Sequence, residues 1–177
     1  MIESARAADL VIMAHEDKSV DRYDQRRVQA DVIRQSGRPV IVVPLDYDGP
    51  EIGQKVLLGW SETREAARAA HDMLGVMQDN GEVVVLRVRS KDVDEMRDSD
   101  MLDLTTSLAR HGHKVDLRHL SQAGQAIADV LMDCAFEQGA DLVVTGAFGH
   151  SFAYDFVVGA TTKALLRNAK LPVLLSK

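Results

Sequence analysis

Only one cysteine, Cys134, occurs in 177 residues, so no internal disulfide can form and no cysteine cluster is present to hold a metal. Aromatic residues are scarce at 5%, with Trp60 the sole tryptophan. No apolar run approaches the roughly 20 residues of a membrane span. The first residues, Met1-Ile2-Glu3-Ser4-Ala5-Arg6, lack the apolar core of a secretion signal. Positive charge is not in excess either: 21 Lys and Arg against 27 Asp and Glu leave a net charge of −6. That balance offers no global field toward nucleic acid or an anionic membrane. Neither a P-loop lysine motif nor a dinucleotide G-x-G-x-x-G occurs. The expectation is a cytoplasmic protein with neither nucleic acid nor membrane as a partner.

What the chain does contain is an alternation of short apolar runs and helical patterns. The runs are Asp9-Leu10-Val11-Ile12-Met13-Ala14, Pro39-Val40-Ile41-Val42-Val43-Pro44, Lys55-Val56-Leu57-Leu58-Gly59-Trp60, residues 82–88, a more exposed stretch at Val115–His119, Asp141–Thr145 and Pro172–Ser176. Continuous runs of this length suit strands buried on both faces of a parallel sheet. Between them lie amphipathic stretches, one with Val28, Val32 and Ile33 inward and Gly37 at its end, another starting at Ser61 or Thr63 as N-cap. Cys134 falls on the apolar stripe Ile127, Val130, Leu131, Cys134 of a helix over 124–138, which predicts a buried, unreactive thiol. Asp46-Tyr47-Asp48-Gly49-Pro50 reads as a turn or linker.

An internal echo divides the chain. Ala8-Asp9-Leu10-Val11 matches Ala140-Asp141-Leu142-Val143, and Arg38-Pro39-Val40 matches Leu171-Pro172-Val173 nearly in register. Residues 1–45 therefore read as the last strand-helix-strand of one copy, 46–54 as a linker, and 55–177 as a complete second copy. The fold class is α/β with a parallel, doubly wound sheet, and the N-terminal strands are expected in a separate or appended sheet.

The stretch with most chemical content is Gly146-Ala147-Phe148-Gly149-His150-Ser151, followed by Gly159 before the last helical pattern. Glycines at a strand's carboxyl end let backbone N–H groups approach an anion, and a helix start at Gly159 adds its dipole. The bland alternative is a tight strand exit and an ordinary helix start. The spacing G-x2-G-x9-G, closing on Pro172-Val173-Leu174-Leu175, resembles the signature of the universal stress protein family. The likeness covers 55–177 and, as a partial copy, 8–44, in the manner of a tandem member with an incomplete first repeat.

That resemblance implies a five-stranded sheet of order 3-2-1-4-5 and a ligand crevice where the winding reverses, between the loops after Gly59 and after Gly146. It also implies antiparallel pairing of final strands and a homodimer or larger. The candidate nucleotide or anion residues are Trp60, Ser61, Thr63, Gly146, Gly149, His150, Ser151, Gly159, Ala160 and Thr161. Trp60 is either a stacking platform for a base or, as its strand-end place favours, a core filler. Three departures point to a degenerate site: Ser61 where an acid is usual, Glu62 where a glycine is usual, and Ala160 where a hydroxyl is usual. Glu62 is expected to place negative charge near the phosphates. No metal is expected at His111, His113 and His119, and no nucleophile set at His150, Ser151 and Asp155, which share one loop without the usual elbow. Three classes of function follow. The first is a non-catalytic binding or signalling domain of stress response; the second is an ATP-binding protein with slow hydrolysis or phosphoryl transfer; the third is an interaction module without ligand. ATP, another nucleotide or a smaller anion would be the ligand.

Overall fold

A computed structural model describes residues 2–15, 22–89, 99–148 and 159–177. In chain order the elements are α1 (Ile2–Ala5), β1 (Val11–Ala14), α2 (Arg22–Gln35), β2 (Val40–Val43), β3 (Lys55–Gly59), α3 (Arg64–Asp72), β4 (Glu82–Arg89), α4 (Ser99–Arg110), β5 (Lys114–Ser121), α5 (Ile127–Gln138), β6 (Leu142–Gly146), α6 (Ala160–Asn168) and β7 (Val173–Ser176). The helix expected from Asp92 is described from Ser99 onward, its first residues lying outside the described part.

The seven strands of the described residues join one sheet, ordered β1-β2-β7-β6-β3-β4-β5. Strands β3 to β7 reproduce the five-stranded order expected for the C-terminal part. β1 and β2 are appended to that sheet rather than forming another. The join is the antiparallel pairing of β2 with β7, Ile41 opposite Leu174, while every other neighbouring pair is parallel.

Two apolar layers sandwich the sheet. One holds Val32, Ile33, Val40, Val42, Leu57, Leu86, Leu131, Cys134, Val143 and Leu165 under α2, α5 and α6. The other holds Ile41, Val56, Leu58, Ala69, Met73, Val85, Met101, Val144 and Leu174 under α3 and α4. Alternate residues of β2, β3, β4, β6 and β7 feed opposite layers, as the pleat requires. Val28 is exposed, against expectation, and Gln29 turns inward instead, donating from Nε2 to the Ala14 carbonyl at 2.8 Å. Cys134 is buried, and burial pushes its thiol pKa up. Gly37, with φ at 69°, ends α2 in the left-handed conformation a side chain disfavours.

Candidate functional site

β3 and β6 lie side by side in parallel, yet β3 leads to β4 on one flank and β6 to β7 on the other. Their carboxyl ends therefore diverge, and a cavity of about 330 Å³ opens there. Its apolar wall is Leu86 and Val88 of β4, Ile127 and Leu131 of α5, and Phe148. Its polar rim is Ser61, Thr63, Thr145, Thr161 and Thr162, with Gly59, Trp60, Gly146, Gly159 and Ala160 completing it. Of the residues expected from sequence, Trp60, Ser61, Thr63, Gly146, Gly159, Ala160 and Thr161 thus converge. Gly149, His150, Ser151 and Asp155 lie outside the described residues. The apolar wall is what the motif does not announce. Its signal in the sequence is the same-face pair Leu86 and Val88 on a strand and the i, i+4 pair Ile127 and Leu131 on a helix.

Local chemistry holds the rim in place. Thr63 is the N-cap of α3, its Oγ1 accepting from the Ala66 N–H at 3.2 Å, and Ser61 Oγ lies 3.2 Å from the same hydroxyl. At α6 the N-cap is Gly159, which has no side chain with which to cap the first N–H groups of that helix. Gly146 is required for space. A Cβ there would lie 2.6 Å from the Ala66 nitrogen and from the Glu65 carbonyl carbon. Among the described residues, nothing lies within 4 Å of where a Cβ on Gly159 would stand. Phe148 leaves β6 with φ at 69°, an uncommon conformation for a non-glycine residue, and Lys177 Nζ sits 5.5 Å from its ring centre. Trp60 is half-buried, packs on the α3/α4 side of the sheet, and walls both this cavity and a second of about 220 Å³ between α3 and α4.

Glu62 departs from expectation. Its Oε1 accepts from Arg87 Nη2 at 2.6 Å, and it does not line the cavity. The reason is strand parity: Arg87 lies between Leu86 and Val88 on β4, so its side chain leaves the opposite face of the sheet and draws the carboxylate with it.

Glu65, only 5% exposed, opens α3 beside Gly146. Burial pushes its carboxyl pKa up, but the Arg64 Nε hydrogen bond at 2.8 Å, its own backbone N–H, and the charges of Arg64 and Lys177 outweigh burial and hold it below the usual value. A folded value below the unfolded one stabilises fully above the ordinary carboxylate range and is lost as pH falls through the folded value. We therefore expect the urea midpoint to fall more steeply between about pH 5 and 3 for the native chain than for Glu65→Gln. Parallel acid limbs for the two proteins would remove this assignment.

Among the described residues, no three His, Cys, Asp or Glu groups are placed to hold a metal, and no helix is long and apolar enough to cross a membrane. His111 Nδ1 instead lies 2.9 Å from the Ser107 carbonyl at the end of α4, and His119 Nδ1 lies 3.3 Å from Arg89 Nη2.

Comparison with known proteins gives one family model, the universal stress protein family, matching residues 53–177. No curated protein matches the chain by sequence. A universal stress protein from Archaeoglobus fulgidus is similar over 99% of this chain and 63% of its own, at 19% identity and a TM-score of 0.75. A functionally unknown protein from Pseudomonas aeruginosa is similar over 99% of this chain and 66% of its own, at 17% identity and a TM-score of 0.62. A family protein from Burkholderia pseudomallei covers 72% of this chain and 98% of its own, at 20% identity and a TM-score of 0.52. This chain thus spans about two thirds of the first two structures, and these identities speak to fold alone.

Proposed function

This chain belongs to the universal stress protein family, and on that footing we propose that it is a cytoplasmic, non-catalytic stress-response protein whose crevice takes a nucleotide-like ligand carrying little charge. One observation carries the reading: none of the described residues lining the cavity bears a charge. An apolar slot of this size suits a flat ring, and the hydroxyls of Ser61, Thr63 and Thr161 suit a sugar or a single phosphate. A triphosphate with magnesium needs cations for its oxygens, and none of the described lining residues is one; Ser61 and Ala160 also stand where the family pattern would supply an acid and a hydroxyl. Among the described residues of the rim there is no carboxylate or imidazole to act as a general base, which supports binding rather than turnover.

The second reading, ATP binding with slow hydrolysis, draws on two observations. The pairing of Glu62 with Arg87 withdraws the charge that would repel phosphates. The start of α6 at Gly159, a residue with no capping side chain, presents N–H donors suited to an anion. Calorimetry with adenosine, AMP and magnesium–ATP separates the two, with Trp60 fluorescence as an independent reporter in the cavity wall. We expect AMP or adenosine to bind at least as tightly as magnesium–ATP, ATP affinity toward millimolar, and no phosphate release. A low-micromolar ATP dissociation constant, or steady phosphate release, would overturn the proposal.

A further inference from the structure

The described lining of the crevice is uncharged, so the charged groups just beyond it set the potential inside. On the β6 side, Arg64 and Glu65 neutralise one another at the start of α3, Nε and Oε1 lying 2.8 Å apart, and Lys177 stands by the ring of Phe148. On the β3 side, the loop that carries Ser61 and Thr63 also carries Glu62. That carboxylate is turned away, to Arg87 of β4.

Strand register explains the meeting. Gly59 of β3 pairs with Leu86 of β4, and the Trp60 N–H donates to the Leu86 carbonyl at 2.9 Å. Trp60 therefore comes beside Arg87 on the face of the sheet under α3 and α4, where Trp60 packs. Glu62 reaches back to that same face, while Ser61 and Thr63 on either side of it line the crevice. Burial makes the pair unequal. The Arg87 side chain is 9% exposed and that of Glu62 42%. A cation so far from water needs its counter-charge, whereas a half-exposed carboxylate is hydrated without one. The demand for the pair comes from Arg87, and Glu62 is the group it constrains.

We propose that Arg87 sets the tolerance of the crevice for anions: by holding and neutralising Glu62 it keeps a free carboxylate away from Ser61 and Thr63, and so admits a ligand with one phosphate. The inference rests on the reading of the crevice as a site for a nucleotide-like ligand, and it names what lets the phosphate in. Arg87 does not line the cavity, so it acts through Glu62 as a positioning residue. Without Arg87, Glu62 keeps its charge, loses its anchor, and stands one residue from each of the two hydroxyls. Its repulsion acts on a phosphate and has nothing to act on in a neutral nucleoside. The charges on the β6 side are the same for both ligands and cancel from their ratio.

Three proteins test this: the native chain, Arg87→Met, and Arg87→Met combined with Glu62→Gln. Methionine keeps an unbranched apolar stem in the buried position, and circular dichroism is expected to stay native. By calorimetry, Arg87→Met should leave the adenosine dissociation constant within about threefold of native and raise that of AMP about tenfold; adding Glu62→Gln should bring AMP back to within about threefold. A second measurement needs no ligand. Trp60 is the sole tryptophan and walls the crevice, so its quenching by iodide, an anion, relative to neutral acrylamide reads the local charge. That ratio should fall about twofold in Arg87→Met and recover in the double variant. An AMP-to-adenosine ratio unchanged by Arg87→Met, with both bound natively, would overturn the role of Arg87 and leave the crevice reading standing. Should neither nucleotide bind the native chain, the crevice reading falls and the quenching ratio decides: a fall with recovery upholds Arg87 as the residue that sets the charge of the crevice. A ratio constant across the three proteins overturns it whatever binds.

Discussion

Asp141→Ala is expected to lower the unfolding free energy by about 2–4 kcal/mol, a fall in melting temperature of roughly 5–15 °C for a domain of this size. The Asp141 carboxylate accepts three backbone N–H groups, Gly53 at 2.7 Å on one oxygen and Gln54 and Lys55 at 2.9 and 3.1 Å on the other. Its own N–H donates to the Lys55 carbonyl at 2.9 Å. One side chain at the start of β6 thus fixes the segment that feeds β3, the neighbouring strand. Hydrogen bonds to a charged group contribute about 1.5–3 kcal/mol each when buried. The sum is smaller because Gln54 is exposed and its N–H can bind water once freed. Asp141→Asn keeps one acceptor oxygen and should fall between the native chain and Asp141→Ala. Urea denaturation at neutral pH measures all three. A loss below about 1 kcal/mol for Asp141→Ala would show that β3 finds its register without this clasp.

Asp141 also illustrates how much of the molecule can be read before folding it. The echo of Ala8-Asp9 in Ala140-Asp141 is visible in the sequence, and the structure turns it into matched pairing registers in β1/β2 and β6/β7. What the sequence does not show is that Asp141 holds the lead-in to β3. Strands were legible because residues buried on both faces must be apolar throughout. The five-strand order came from family resemblance, since strand runs carry no information about their neighbours. In α2, Val28 and Gln29 exchange their expected places because the segment's polarity is only weakly one-sided, and the open carbonyl of Ala14 decides which side chain turns inward. Glu62 was legible as a charge in the first loop but not as the partner of Arg87 on β4, because that pairing depends on strand register rather than sequence spacing.

The glycines of the motif were legible as a set, yet they serve different ends, and a pair of substitutions separates them. Gly146→Ala is expected to cost about 2–4 kcal/mol, in the range of overpacking a rigid site and toward its upper end. The added Cβ would meet backbone atoms, the Ala66 nitrogen and Glu65 carbonyl carbon at 2.6 Å, and Glu65 Cβ at 2.9 Å. No flexible side chain is there to yield, so α3 itself must move. That helix lies close on the sheet through small residues, Ala66, Ala69 and Ala70, all nearly or fully buried. Its N-cap Thr63, with Ser61, forms part of the cavity rim. A displaced α3 should therefore loosen the crevice as well as the fold, weakening ligand binding and shifting the emission of Trp60. Gly159→Ala provides the contrast. Gly159 has φ at −57°, and a Cβ added there would meet no atom of the described residues within 4 Å, so neither strain nor collision with them opposes alanine. Its cost should stay within about 1 kcal/mol, the difference between glycine and alanine as an N-cap. Paired thermal denaturation of the two variants reads this directly. Equal losses at Gly146 and Gly159 would mean that the close approach of α3 to β6 is not what requires the first glycine.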